Sequence, residues 1–209
     1  MTKLSNKNVV IITVTLVLIG LLLISSDYLK SKKQKAYEKV RISLMTSSDN
    51  TPQNVDVEEP EPEPLPNGYL GILEIEKINL AQGFYDKDNP DNNVSKNITF
   101  LEPSNYPDEK GGNTILIAHS GTSNIAYFKH LYQLEVGDIA KITYKGKVYT
   151  YKIDNIYYEE KDGELTVYRN TKKSTLTMVT CTKNDNTKQT IYIAYLESVK
   201  KIWKKSHAE

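Results

Sequence analysis

Hydrophobic and polar residues alternate with a period close to two through most of the chain between Tyr69 and Lys201. In residues 139–145, for example, Ala140, Ile142 and Tyr144 alternate with polar side chains. This pattern is typical of β-strands that bury one face and expose the other. The segment is long enough to form one hydrophobic core, so we expect a single, mainly β domain there.

The pattern also predicts where individual strands lie. The predicted strands cover residues 69–75, 114–118, 139–145, 148–158, 175–181 and 189–196. In the fourth of them, Tyr149, Tyr151, Ile153 and Tyr157 are expected on one side of the sheet. Lys145-Gly146-Lys147 predicts a hairpin turn. Helical periodicity is scarce, and residues 127–134 are its best short candidate. Several short antiparallel strands at this spacing favour a closed barrel or a sandwich.

The N-terminal residues show a different pattern. Residues 9–24 are uncharged and apolar apart from two threonines and one glycine, which predicts a transmembrane anchor over residues 9–26. A cleaved signal peptide is the alternative, because two lysines precede the apolar run. The polar exit at residues 25–28 is no clear cleavage site, which favours the anchor. Lysines flank both ends of the run, so the positive-inside rule leaves its orientation open.

A stalk and a spacer are predicted between this anchor and the β domain. Residues 51–66 contain five prolines and five acidic residues. Such a stretch cannot build a core and is expected to run as an extended, polyproline-like spacer. The predicted organisation is an N-terminal segment (1–8), an anchor (9–26), a stalk with a Pro/acidic linker (27–67), a folded domain (68–201) and a basic C-terminal tail (202–209).

Composition excludes several classes of function. The 27 basic side chains are balanced by 26 acidic ones, so the chain has no overall electrostatic footprint for nucleic acid. The single cysteine rules out a disulfide framework. One cysteine with three histidines is also too few for most structural zinc sites.

Two residues stand out as candidates for chemistry. Cys181 ends the strand over residues 175–181, and His119 directly follows the apolar strand over residues 114–118. A lone cysteine more often packs as a small apolar residue, and a lone histidine is more often structural. Here both come immediately before a polar loop, where a rigid scaffold can present a side chain to a substrate. The pair is therefore a candidate for nucleophilic catalysis.

The residues around this pair resemble a known family. Thr177-Met178-Val179-Thr180-Cys181 is similar to the Thr-Leu-x-Thr-Cys signature of the sortases, with methionine for leucine. Ile117-Ala118-His119-Ser120-Gly121 resembles the sortase strand that carries the catalytic histidine. Residues 69–75 resemble the opening strand of the family, and residues 99–102 resemble a later landmark. The resemblance implies an eight-stranded sortase-type β-barrel with short helices, an N-terminus in the cytoplasm, and a catalytic domain on the outside of the cell membrane.

The resemblance also implies an activity and its partners. Sortases cleave an LPxTG-like sorting signal near the C-terminus of a surface protein, between threonine and glycine. Cys181 would attack the threonine carbonyl and form a thioacyl enzyme, and His119 would protonate the leaving amine. The acceptor is typically the cross-bridge amine of a cell-wall precursor in a Gram-positive bacterium, or a lysine in pilus assembly. No organic cofactor is implied.

The subclass is expected to be A or D. Only fifteen residues separate Tyr158 from Ser174, which leaves little room for the long helix that class B members insert there. The sequence shows no aromatic lid motif before the barrel and no second hydrophobic span after residue 196, which disfavours the pilus-building class. Acidic loop residues resemble the calcium site of some class A members, although such residues are usually only solvated. These weak calcium candidates are Glu102, Asp108, Glu109, Asp162 and Glu164.

One position departs from the family pattern. Sortases carry an arginine five residues before a strand alanine, and counting back from Ala194 places Gln189 there, preceded by Lys188. Arg169 is expected near the opposite end of the barrel. We therefore expect Gln189 to replace the arginine, with Lys188 as the alternative. Besides an active transpeptidase, two functions stay open: a catalytically impaired surface or binding module on a sortase scaffold, and a hydrolytic cysteine peptidase.

Overall fold

The structure is a computed structural model that describes residues 64–202. The predicted cytoplasmic segment and membrane anchor lie outside the described residues. So do nearly all of the predicted stalk and linker, and the C-terminal tail beyond residue 202. Within residues 64–202, no helix has the length and apolar character needed to cross a membrane.

The described residues form eight strands and three short 3₁₀ helices. The strands are β1 (Gly71–Ile75), β2 (Leu80–Phe84), β3 (Thr99–Phe100), β4 (Asn113–Ile117), β5 (Ile139–Tyr144), β6 (Lys147–Glu160), β7 (Thr175–Cys181) and β8 (Lys188–Lys201). The 3₁₀ helices are Pro66–Gly68, Glu76–Ile78 and Leu131–Gln133, the last within the predicted helical segment. All six predicted strands are present, although β6 and β8 are longer than expected. Two strands are not among the predicted six: β2, whose sequence Leu-Ala-Gln-Gly-Phe does not alternate clearly, and β3, which has only two residues.

The strands form one eight-stranded sheet that curls into a nearly closed barrel. Their order is β2-β1-β5-β6-β8-β7-β4-β3, and a bridge between Phe84 and Ile98 links the two edges. The expected eight-stranded, mainly β barrel is thus confirmed. Most strand pairs are antiparallel, as expected, but β4 and β7 pair in parallel. A parallel pair needs a long crossover, and here the crossover contains the whole β5–β6 hairpin.

The hairpin between β5 and β6 is confirmed. Lys145 and Gly146 form a two-residue turn, with φ angles of 45° and 67°. Two left-handed residues in a two-residue loop match the right-handed twist of the flanking strands.

A β-bulge in β6 changes which side chains face the barrel interior. Tyr149, Tyr151 and Ile153 are buried in the main core, as predicted. The register against β8 then shifts between Ile153 and Asn155. One extra residue reverses the alternation, so Tyr157 packs on the opposite side of the sheet from Tyr151. The prediction that Tyr157 shares a side with the other three residues is therefore wrong.

The sheet is covered on both faces. The larger cluster fills the barrel interior and includes Leu176, Met178 and Tyr192. A smaller cluster on the outer face consists of Ile115, Val179, Ile191 and Ile193, and we call it the outer patch. Leu165 and Val167 pack against the outer patch. They belong to residues 161–174, which we call the β6–β7 connection. Because β7 is buried on both faces, only its end at Cys181 is partly exposed.

Candidate active site

The parallel pairing of β4 and β7 brings His119 alongside Cys181. The last pair of this ladder joins Ile117 to Val179, and the same register two residues later places His119 opposite Cys181. The Thr180 hydroxyl donates a 2.8 Å hydrogen bond to the Ala118 carbonyl, which extends the pairing beyond the ladder. Adjacent strands lie about 4.8 Å apart, and residues in register point to the same face. The predicted pair is therefore neighbouring in space.

Strand β8 places Gln189 on the other side of the cysteine. Cys181 and Gln189 are direct partners in the antiparallel β7–β8 ladder. Directly opposed residues share one face of a sheet. Cys181 and Gln189 thus share the outer face of the barrel, and His119, two residues after the end of β4, extends their row when the β4–β7 register is continued. We call these three positions, which are candidates for catalysis, the catalytic row.

Short hydrogen bonds fix the two chain segments that carry the row. The Ser120 hydroxyl donates to the Cys181 carbonyl at 2.8 Å. The Phe128 amide donates to the His119 carbonyl at 3.0 Å. These bonds tie the loop after β4 to the end of β7, so the backbones of both residues are held. Within residues 64–202, no hydrogen bond joins the His119 imidazole to the Cys181 sulfur.

A lysine that sequence reasoning missed contacts the cysteine. Lys161, the first residue of the β6–β7 connection, has its Nζ atom 3.5 Å from the Cys181 Sγ atom. The Lys161 amide donates to the Thr187 carbonyl at 2.7 Å and so continues the β6–β8 pairing past its last ladder pair. The Lys161 ammonium thus donates a weak hydrogen bond to the sulfur.

The side chain of Gln189 forms a hydrogen bond with the β6–β7 connection. Its Nε2 atom donates a 3.0 Å hydrogen bond to the Glu164 carbonyl. Tyr157 fixes the same connection, because its hydroxyl donates to the Thr166 carbonyl and accepts from the Tyr168 amide, both at 2.9 Å. The amide of Gln189 therefore already acts as a donor to a peptide carbonyl on the outer face.

Lys188 is directed elsewhere. Its Nζ atom lies 3.8 Å from a carboxylate oxygen of Asp185, in a half-exposed ion pair. The pKa of Asp185 is lowered, chiefly by hydrogen bonds from Thr187 and to a smaller extent by Lys188. Because Lys188 precedes Gln189 in the strand, its side chain leaves from the opposite face of β8. The alternative in which Lys188 replaces the family arginine gains no contact with Cys181.

Arg169 lies at the other end of β7, as expected. Its Nη1 atom donates to the Gly111 carbonyl at 3.1 Å, to the Lys173 carbonyl at 3.4 Å and to the Thr175 hydroxyl at 3.5 Å. Thr175 begins β7 and Cys181 ends it. Arg169 therefore stabilises the start of the strand and does not reach the catalytic row.

The weak calcium candidates are not brought together. Asp108 forms an ion pair with Lys145 at the β5–β6 turn, and both Glu109 carboxylate oxygens accept hydrogen bonds from residues 105–106. Asp162 caps the amide of Glu164 at the other end of the barrel. In the described part of the chain, no three acidic, histidine or cysteine side chains cluster as metal ligands.

A groove of about 370 Å³ opens at the barrel mouth next to the site. Its lining includes Tyr132, Tyr158, Thr182, Thr190 and Tyr192. Burial raises the pKa of Tyr192 to about 12, so its phenol stays protonated. Thr190 and Tyr192 face the interior side of β8, whereas Gln189 and Cys181 lie on the outer face. The groove borders the catalytic row without containing it.

Comparisons with known proteins agree with this architecture. A family model described as the Sortase domain matches residues 73–198, more than half of the 209-residue chain. A search of the curated proteins found no match. Among solved structures, the chain is similar to a Clostridium perfringens Sortase D5 transpeptidase, with 28% identity and a TM-score of 0.53 over 62% of this chain and 79% of that chain.

Two further structures share the fold. Listeria monocytogenes sortase A has 21% identity and a TM-score of 0.55, over 65% of this chain and 92% of that chain. Streptococcus agalactiae sortase C1, solved in a complex with MTSET, has 23% identity and a TM-score of 0.55, over 62% of this chain and 69% of that chain. With the family model spanning more than half of its length, this chain belongs to the sortase family of cysteine transpeptidases.

Proposed function

We propose that the protein is a membrane-anchored sortase that cleaves an LPxTG-like sorting signal between threonine and glycine. It then transfers the surface protein to an amine acceptor, such as the cross-bridge of a peptidoglycan precursor. Residues 9–26 would hold the enzyme in the cell membrane of a Gram-positive bacterium, with the catalytic domain outside. The resemblance to the Sortase D5 transpeptidase supports subclass D over subclass A.

The catalytic row is the observation that carries this proposal. The nucleophile Cys181 and the amide donor Gln189 are partners on β7 and β8, and the general acid–base His119 follows the end of β4 in the same register, on a face that also holds the apolar outer patch. Residues held on rigid strands keep the geometry that acyl transfer needs. The outer patch offers apolar contacts to the leucine and proline of a sorting signal once Leu165 and Val167 move aside.

The reaction can be written on these residues without a cofactor. The Cys181 thiolate attacks the threonine carbonyl carbon, a carbon–sulfur bond forms, and the carbonyl electron pair moves onto oxygen. Gln189 donates to that oxygen in place of the Glu164 carbonyl. The carbon–nitrogen bond then breaks, and the His119 imidazolium protonates the leaving glycine amine. An incoming amine loses its proton to His119, attacks the thioester and releases Cys181.

Transfer can be tested with the full-length protein in detergent. We would incubate it with a panel of sorting-signal peptides and hydroxylamine as the acceptor. Peptide hydroxamate is the expected product and supports transfer. Hydrolysis alone would indicate a cysteine peptidase, and no reaction with any peptide would indicate an impaired surface module; either result contradicts the proposal.

Cys181→Ala is the matched control. It should abolish hydroxamate formation and barely change Tm, because it removes a small, half-exposed group at the end of a strand. A large loss of Tm would show instead that Cys181 serves the core.

A further inference from the structure

We propose that Lys161 supplies the positive charge at the nucleophile that Gln189, a neutral residue, cannot supply. Its ammonium would hold the negative charge of the Cys181 sulfur before attack and that of the adjacent carbonyl oxygen during attack. This assignment rests on the proposed function. The positive charge beside the nucleophile would then come from the end of β6. In the family pattern it comes from an arginine on β8.

The contact itself is the first support. The Lys161 Nζ atom lies 3.5 Å from the Cys181 Sγ atom, and within residues 64–202 this is the only hydrogen bond that the sulfur receives. Lys161 forms no ion pair with a carboxylate in the same part of the chain, so its charge is not neutralised by one. Lys188 is already paired with Asp185.

The path of β6 explains why the lysine points at the site. Glu159 pairs with Gln189, and Gln189 pairs with Cys181, so Glu159 lies in line with the catalytic row. Lys161 follows two residues later and projects from the same face. Its amide is fixed to the Thr187 carbonyl at 2.7 Å, which anchors the backbone from which its flexible side chain reaches the sulfur.

The bulge between Ile153 and Asn155 is what makes this possible. Without it, Lys161 would share the parity of Tyr149, Tyr151 and Ile153 and project toward the barrel interior. The extra residue reverses the alternation of side chains in the last part of β6. Lys161 therefore projects from the same face of the sheet as Tyr157 and the catalytic row.

The chemistry balances without any change of charge on the lysine. The thiol proton of Cys181 leaves to the His119 imidazole before attack, and His119 later gives a proton to the leaving amine. Lys161 keeps all three ammonium protons throughout and only follows the negative charge from sulfur to oxygen. The Lys161 ammonium would thus act like a donor in an oxyanion site. Its flexible side chain allows it to stay close to the negative charge as that charge moves.

Alkylation of Cys181, the single cysteine, tests the contact without any substrate. Iodoacetate is an anion and iodoacetamide is neutral, so the ratio of their rates reports positive charge beside the sulfur. We expect Lys161→Met to lower this ratio about three- to tenfold at low salt, and the difference to shrink at 1 M salt. Lys161→Arg should keep the ratio. Lys172→Met, which removes one charge from the far end of the same connection, should leave it unchanged.

Activity gives the second readout. Hydroxamate formation should fall about tenfold in Lys161→Met and stay within about twofold of the parent in Lys161→Arg and Lys172→Met. An unchanged alkylation ratio in Lys161→Met, with the protein folded as judged by its Tm, overturns the assignment. So does a rate in Lys161→Met equal to that of the parent. If no variant forms hydroxamate but the alkylation ratio falls, the charge contact stands and the transpeptidase proposal is the part that fails.

Discussion

A positively charged side chain lies at each end of β7, and the two side chains have different kinds of partner. At the Thr175 end, the guanidinium of Arg169 is satisfied by fixed backbone carbonyls and one hydroxyl. At the Cys181 end, the ammonium of Lys161 contacts a partly exposed sulfur that is free to react. A planar fork of donors suits the first task, and a mobile point charge suits the second. The comparison implies that substitutions at one end change stability, whereas those at the other change the rate.

After Cys181→Ala, His119→Ala should have the largest effect on the rate at the Cys181 end. Removing a general acid–base typically costs about 10²–10⁴ in rate, and no other imidazole lies in the catalytic row. The kcat for hydroxamate formation measures this loss, and added imidazole should restore part of it. His130→Ala is the control, because the ring of that exposed histidine has a hydrogen bond within residues 64–202 only with Gln133, at 3.3 Å. A His119→Ala variant with a parental rate would remove the imidazole from the mechanism.

Substitutions of Gln189 should have the next largest effect on the rate. Gln189→Ala removes one donor from the oxyanion site, which typically costs about 10²–10³ in rate. Gln189→Glu keeps the size of the side chain but removes its donors, so it should lose at least as much. Gln189→Arg restores a fork of donors and should keep or raise the rate. The kcat and KM of each variant show whether the Gln189 amide acts in the reaction. A parental kcat in Gln189→Ala would show that this amide only binds the Glu164 carbonyl.

Much of the Cys181 end was predictable because its signals are local in the sequence. The strand that ends in Cys181 has the bounds predicted for it, and the strand before His119 differs by one residue. Counting back along β8 leads to Gln189, and that part of the strand keeps a regular alternation that pairs Gln189 with Cys181. The role of Gln189 in place of the family arginine stays a prediction. Local motifs and period-two patterns are the features that a single sequence carries most reliably.

The features that the sequence did not predict depend on contacts between residues that are far apart in the chain. The bulge at residues 153–155 has no signal in the alternation of β6, and it decides both the side of Tyr157 and the direction of Lys161. The parallel pairing of β4 with β7 joins segments about sixty residues apart, so local pattern cannot reveal it. The pairing of Lys161 with Thr187 extends β6 into what the sequence presented as a loop.

Arg169→Ala should test the opposite end of β7. It removes three hydrogen bonds from a charged donor, so we expect a loss of about 1–2 kcal/mol in the free energy of unfolding and a lower Tm. The rate of hydroxamate formation at a temperature where the variant is folded should stay within about twofold of the parent. Lys172→Ala, on the same connection, should change neither quantity. A rate loss in Arg169→Ala without a change in Tm would mean that the two ends of the strand are coupled.

Lys188→Ala should have the smallest effect of all. The residue is half-exposed, and its ion pair with Asp185 spans 3.8 Å, so its contribution to stability should be about 0–1 kcal/mol. It leaves β8 from the face opposite Gln189, which keeps its charge away from the sulfur. Both the rate and the iodoacetate-to-iodoacetamide ratio should therefore stay within about twofold of the parent. Asp185→Asn should lower Tm more than Lys188→Ala, because the Asp185 carboxylate also accepts hydrogen bonds from the amide and the hydroxyl of Thr187. A lower alkylation ratio in Lys188→Ala, with an unchanged ratio in Lys161→Met, would contradict this expectation. The cation beside Cys181 would then be Lys188 of β8, and Lys161 would have no role at that end of β7.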